Sequence, residues 1–323
     1  MAVEFKNYYD LLGVSKTATE GDIKKAFRVL ARKYHPDVAQ DKASAERRFK
    51  EINEANEVLS DPDKRRKYDE LGANWNSAAR ETTQGPGGFR GNPETGSEFH
   101  FDGTGFSDFF EQFFSSRNRT SGGFGRSREA NPGESDFAAR GQDIEGDILV
   151  TLDEVLHGST RLINLQRSNP RTGQSFAQIL RVKIPPGVRE AQLIRLVGKG
   201  QEGIAGGESG HLYLRVKFAK HPEFSVRGAN LYHPLDLSPW EAVLGATIHI
   251  PTLDGPVALR IPAGTTAERE FRLKGMGLPQ GSNERGALYA IVNIQVPTNM
   301  GPEQKALWEQ LAAQSTFNPR GKS

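Results

Sequence analysis

The chain contains no cysteine. A disulfide framework, a thiolate nucleophile and a Cys-ligated zinc site are all closed to it, which suits a reducing compartment. No apolar run reaches membrane-spanning length, and the opening residues MAVEFKNYYD lack a secretory apolar core. The expectation is a soluble cytoplasmic protein with no membrane partner. A net charge of +2 is too small to announce a polyanion partner by itself. Catalytic patterns are also scarce. The seven histidines form no HExxH-type pair, there is no Walker motif, and no serine- or carboxylate-based constellation stands out. Gly198-Lys199-Gly200-Gln201-Glu202-Gly203 matches GxGxxG, but turn residues rather than a helix follow it, so it reads as a turn. The expectation is a protein that is not an enzyme, with no cofactor and no metal.

At 323 residues the chain is long enough for two or three domains. Its most informative stretch is IKKAFRVLARKYHPD, residues 23–37. Ile23, Ala26, Phe27, Leu30, Ala31 and Tyr34 recur at helical spacing on one face, while Lys24, Lys25, Arg28, Arg32 and Lys33 make the other face cationic. Thr17-Ala18-Thr19-Glu20 has the capping-box pattern and places the helix start near residue 18. Pro36 ends the helix, because it lacks an N–H and drives His35 out of the α region. A short helix over 7–13 precedes it, stopped by Gly13. A third helix is expected from Lys42 to Leu59, with Ala45, Phe49, Ile52, Ala55 and Leu59 as its stripe and Asn56 intruding on it. Asp61-Pro62 opens a fourth, expected to close at Gly72.

Tyr8-Tyr9-Asp10-Leu11-Leu12-Gly13-Val14, the basic helix, His35-Pro36-Asp37, Phe49-Lys50-Glu51-Ile52 and Val58-Leu59-Ser60-Asp61 together resemble a J-domain of the DnaJ family. The resemblance implies a DnaK-type chaperone ATPase as partner. Lys24, Lys25, Arg28 and Arg32 would steer to its acidic surface, and His35, Pro36 and Asp37 would meet its interdomain junction. Val29 stands where relatives often carry another base, which thins the cationic strip.

From Gly72 to Arg140 glycine, serine, asparagine and phenylalanine dominate and helical periodicity vanishes, as in a flexible linker. Its densest cluster, Phe106-Ser107-Asp108-Phe109-Phe110-Glu111-Gln112-Phe113-Phe114, resembles the glycine/phenylalanine-rich region that follows a J-domain and can dock back on it. Arg117, Arg119, Arg126 and Arg128 form a basic patch there. Residues 141–298 read as one β-rich unit twice over. Ile184-Pro185-Pro186-Gly187 and Gly198-Lys199-Gly200 are answered 77 positions on by Ile261-Pro262-Ala263-Gly264 and Gly275-Met276-Gly277. Glu154-Val155-Leu156-His157-Gly158 is answered by Glu241-Ala242-Val243-Leu244-Gly245 at an offset of 87, so the first copy carries about ten more residues in between. Each copy should hold alternating strands and one short helix, capped in the second by Ser238-Pro239.

These units resemble the family's two carboxy-terminal β domains, and the missing cysteines place the chain in the zinc-less class. The expected fold is multidomain α + β. It comprises an all-α J-domain (1–72), a flexible Gly/Phe-rich linker (73–140), two tandem β-sandwich-like domains (141–219 and 220–298), and a dimerisation helix and tail (299–323). The resemblance further implies binding of unfolded polypeptide clients on the first β domain, at Ile148, Arg161, Ile163, Leu165 and Leu214. It implies a homodimer through the last helix, whose Leu307, Trp308 and Leu311 form a narrow apolar strip too short to stand alone in water. The resemblance to the zinc-less class further implies non-sequence-specific DNA, preferably curved, as a partner, reached by Arg117, Arg119, Arg126 and Arg128 and by lysines and arginines of the β units.

Overall fold

The computed structural model describes residues 6–34, 42–81, 99–102, 104–107, 109–110, 114, 140–168, 175–203, 206–281 and 284–320. Four helices open the chain: α1 (Tyr8–Leu12), α2 (Glu20–Lys33), α3 (Lys42–Leu59) and α4 (Pro62–Glu81). Helix α1 ends as its sequence demands, with Gly13 in the left-handed region (φ 67°) and its N–H turned back to the carbonyl of Asp10. The capping box of α2 lies further along than the Thr17–Glu20 spacing suggests. Thr19 is the N-cap, its hydroxyl accepts from the Asp22 N–H at 3.2 Å, and Asp22 accepts from the Thr19 N–H at 3.0 Å. Aspartate at the third helical position is within reach of the cap backbone and fills the role expected of glutamate. A second difference concerns α4, which runs through Gly72 to Glu81. One glycine costs a helix about 1 kcal/mol, and the alanines that follow it support continuation.

Ile23, Phe27 and Ala31 of α2 pack with Phe49, Ile52, Ala55 and Leu59 of α3 and with Tyr8, Tyr9 and Tyr68 in one core. The expected stripe of α3 is buried throughout. Asn53, Glu54 and Asn56 are buried too, so the second half of α3 is enclosed on more than one side.

The β units are built on one plan. In the first, β2 (Ile144–Val150) pairs parallel with β6 (Leu212–Phe218), and β5 (Leu193–Leu196) pairs antiparallel on the other side of β6. Helix α5 (Leu152–His157) leads into the antiparallel hairpin of β3 (Ser159–Ser168) and β4 (Ser175–Ile184). The second unit repeats this with β8 (Asn230–Leu237) parallel to β12 (Glu284–Ile294), β11 (Glu270–Gln280) antiparallel to β12, α6 (Pro239–Leu244), and a hairpin of β9 (Ala246–Ile250) and β10 (Val257–Ile261). A three-residue strand, β7 (Ser225–Arg227), borders β8. Both short helices carry a full capping box, Thr151 with Glu154 and Ser238 with Glu241. The duplication extends to torsions. Ala191 and Glu268, 77 positions apart, both hold φ 63°. Each donates its N–H to the partner strand, to Val216 O at 2.9 Å and to Val292 O at 2.8 Å. The extra residues of the first copy lie in its hairpin, whose strands have ten residues each against five in the second. Side chains from both sheets of the first unit meet in a sandwich core that continues into the second unit.

The linker departs most from expectation. Residues 99–102 form a strand, β1 (Phe99–Asp102), antiparallel to β3 with Phe99 opposite Arg167 and Asp102 opposite Asn164. The chain closes with α7 (Pro302–Gln314), none of whose residues is buried.

Candidate functional site

Helix α2 presents its cationic face as the spacing requires, with Lys24, Lys25, Arg28 and Arg32 all exposed. That face is directed toward the rest of the molecule. Arg32 forms an ion pair with Glu223 at the start of the second β unit. Lys24 and Arg28 line a cleft of about 1070 Å³ whose other walls include Glu57, Glu190, Phe224 and Tyr232. Asn56, the polar intruder on the α3 stripe, opens onto the same cleft. Close by, Lys220 Nζ donates to Ser60 Oγ at 2.6 Å. His35, Pro36 and Asp37 lie outside the described residues.

The junction is sealed by the phenylalanine cluster. Phe106, Phe109 and Phe110 are buried against Tyr8 and Tyr68 of the helical domain and Leu149 and Ala219 of the first β unit. Phe106 and Phe110 stack at 4.2 Å, and the Lys217 ammonium stands 5.7 Å and 5.4 Å from their rings. Three hydrogen bonds fix the register. Glu54, almost fully buried, accepts from the Tyr8 hydroxyl at 2.7 Å, the Ser107 hydroxyl at 2.6 Å and the Ser107 N–H at 2.5 Å. Burial raises the Tyr8 phenol pKa, and the Glu54 carboxylate adds to the shift, so Tyr8 remains a donor. The N–H of Leu149 donates to Thr104 O at 2.8 Å. Gly105 (φ 95°) admits this approach, since a Cβ there would sit 2.9 Å from the Leu149 Cβ.

The residues expected to line a client groove are placed differently. Ile148, Ile163, Leu165 and Leu214 have no exposed surface and belong to the sandwich core. They point inward from β2, β3 and β6, whereas Leu162 on β3 and Ile179 on the neighbouring β4 point outward and are exposed. Arg161 is engaged internally. Its Nε donates to Glu154 Oε1 at 2.7 Å, its Nη1 donates to Leu149 O at 2.7 Å, and a further hydrogen bond joins its Nη2 to Glu154 Oε2. In this conformation the four aliphatic residues give a client no open surface, and Arg161 is largely enclosed. On α7, Leu307 and Leu311 are exposed and Trp308 half-buried, so among the described residues the strip is largely uncovered. The expected DNA contacts Arg117, Arg119, Arg126 and Arg128 fall outside the described residues.

Glu54, Leu149, Lys217, Lys220 and Glu223 were not singled out by sequence reasoning. Only Glu54 left a trace, as a charged residue in the low-charge run Ile52-Asn53-Glu54-Ala55-Asn56. The others are ordinary strand or turn residues whose neighbours come from far along the chain.

Comparison with known proteins agrees with this architecture. The DnaJ domain model matches residues 7–69, and the DnaJ C-terminal domain model matches residues 144–297. A protein of Coxiella burnetii named curved DNA-binding protein is 43% identical over 325 residues, covering 98% of each chain. A protein of the same name from Pseudomonas putida is 40% identical over 323 residues, again 98% of each. Among solved structures, the J-Trx1 fragment of ERdj5 is 50% identical over 21% of this chain and 34% of its own, with a TM-score of 0.20.

Proposed function

Because this chain belongs to the DnaJ family of J-domain proteins, we propose that it is a cytoplasmic co-chaperone that stimulates ATP hydrolysis by a DnaK-type chaperone and delivers unfolded polypeptides to it. The observation that carries the reading is the amphipathic helix α2, whose cationic face leads directly into His35-Pro36-Asp37. Lys24, Lys25, Arg28 and Arg32 raise the encounter rate with an acidic partner surface in a salt-sensitive way. Asp37 then supplies a carboxylate to a basic group at the partner's interdomain junction. Truncating one side of such a buried charge pair costs about 2–5 kcal/mol. The hydrolysis is the partner's chemistry, and this chain contributes differential affinity for the hydrolysis-competent state. Asp37→Asn should abolish stimulation of DnaK ATPase in single-turnover assays while circular dichroism shows the fold intact. Full stimulation by that variant would remove the assignment.

A second activity is favoured by the name shared by relatives that match over nearly the whole length. On this reading the chain binds DNA, including at the nucleoid, and prefers curved duplexes through their shape rather than their base sequence. Arg117, Arg119, Arg126 and Arg128 neutralise phosphates. Replacing all four by alanine should flatten the slope of log affinity against log salt by about 3–4 in gel shifts. An unchanged slope would move the DNA surface elsewhere.

A further inference from the structure

The cleft between α2 and the β units carries both signs of charge, and the two are not used alike. Most of its acids are committed. Glu57 pairs with Lys64, Glu223 pairs with Arg32, and Glu190 Oε2 accepts from the Phe218 N–H at 2.7 Å. Glu20 is the remaining lining carboxylate. Most of its cations are open. Lys24 and Arg28 on α2 and Arg189 on the loop before β5 are exposed, and their side chains form no hydrogen bond or ion pair among the described residues. Three cations against one carboxylate leave the cleft attractive to an anion. Tyr232 also lines it and begins a column across the outer face of the sheet β11-β12-β8-β7. Tyr232 and Tyr289 are register partners, and their rings stack at 5.1 Å with 12° between planes. The Arg227 guanidinium lies over the Tyr232 ring at 4.7 Å, and that of Arg272 over Tyr289 at 6.0 Å. In the first unit the same registers hold Glu145, Tyr213 and Arg195, and Glu145 pairs with Arg215 instead. The column therefore belongs to the second unit, the copy in which it reaches the cleft.

We propose that this cleft binds a nucleoside polyphosphate, with the phosphates on Lys24, Arg28 and Arg189 and the base laid on the Arg227–Tyr232 end of the column. A phosphate chain needs several charged donors converging from different elements, and these three come from α2 and from the first β unit. A base needs a flat partner, and both phenol rings and guanidinium planes serve as one. The volume, about 1070 Å³, lies near the upper end of small-ligand sites, about 300–1,000 Å³. The walls are joined by the Lys220–Ser60 bond and the Arg32–Glu223 pair, so the space is bounded on that side and suits a short ligand. Such a ligand touches α2 and both β units at once. It favours the closed arrangement over any in which the J-domain has moved off. It also engages Lys24 and Arg28. On the co-chaperone reading the nucleotide and the chaperone therefore compete, and each weakens the other's binding by the same factor. The site itself does not depend on that reading.

The probes are ADP, pyrophosphate and adenosine, titrated into the full chain by calorimetry. ADP should bind saturably, pyrophosphate more weakly, and adenosine more weakly than ADP. Arg189→Ala should lower the affinity for ADP and for pyrophosphate at least about tenfold, since each charged hydrogen bond to phosphate is worth that much. Tyr232→Leu should lower the affinity for ADP and leave that for pyrophosphate unchanged. Arg260→Ala, on the exposed face of β10, should change neither. Circular dichroism checks the fold of each variant. Absence of saturable ADP binding at millimolar concentration overturns the site, and so does undiminished ADP affinity in Arg189→Ala. Equal affinity for pyrophosphate and ADP overturns base recognition. Tighter binding of a single-stranded oligonucleotide of about eight deoxythymidines than of ADP overturns the small-ligand assignment in favour of a polymer. DnaK is present in none of these titrations, so failure here leaves the co-chaperone reading in place, and Asp37 tests that reading separately.

Discussion

Arg161 sits where a client contact was expected and does structural work. Its guanidinium and the Glu154 carboxylate are each about 15% exposed, and Glu154 also belongs to the capping box of α5 and accepts from Ser159 Oγ at 2.9 Å. Removing one partner of such an enclosed pair strands the other charge. Arg161→Ala should therefore cost about 3 kcal/mol in urea unfolding of the first β unit. A loss under about 0.5 kcal/mol would restore Arg161 as a free surface group. The pair also sets a pH dependence. Burial pushes the Glu154 carboxyl up, but the hydrogen bonds and charge of Arg161 outweigh it, and the net shift is downward. The carboxylate is thus held below its ordinary range in the folded state. Its contribution is complete above 4.5 and declines as pH falls through the folded value. In Glu154→Gln the urea midpoint should lose that part of its acid dependence.

At the scale of elements, α7 is the outlier. It has 13 residues, a length at which an isolated helix is marginal in water, and none of its residues is buried among the described residues. We propose that a second copy of the chain, offering the same strip, closes the contact by two-fold symmetry. Leu307→Ser/Leu311→Ser should convert a dimer to a monomer in sedimentation analysis without shifting the thermal midpoint of the β units. A monomer already present in the unaltered protein at micromolar concentration would remove the dimer proposal. Most elements were legible in the sequence because each is organised locally. The apolar periodicity of α2 and α3, Gly13, Ser238-Pro239 and the 77-residue offset all act within a few residues of where they are read. Helix α4 outran its expected stop because a lone glycine is a weak break. Strand β1 was missed because the alternation Phe99-His100-Phe101-Asp102 is only four residues long and lies within a Gly/Ser-rich stretch. The client groove went astray for a related reason. Burial of Ile148, Ile163, Leu165 and Leu214 depends on which sheet face each strand turns inward, and a list of aliphatic residues does not contain that information.

For the whole molecule, the question is which force keeps the J-domain against the β units. The Arg32–Glu223 pair is largely exposed on its arginine side, with 64% of that side chain accessible, and such pairs contribute about 0–1 kcal/mol. Burying a phenylalanine contributes about 1.5–3 kcal/mol, and Phe106, Phe109 and Phe110 are all buried. The seal is apolar, so half-molar salt should leave the radius of gyration from X-ray scattering unchanged, whereas Phe109→Ser/Phe110→Ser should raise it. The reverse pattern would make the ionic contacts the clasp. Lys24 and Arg28 border a cleft whose other wall comes from the β units, and Arg32 pairs with Glu223, 191 positions away. The paired left-handed residues Ala191 and Glu268 bear on the molecule's history. One position holds a methyl group and the other a carboxylate, neither is glycine, and yet φ is 63° at both. What the two units share at this spot is an angle rather than a letter, so likeness between such modules is better traced by comparing backbone turns than by matching alphabets.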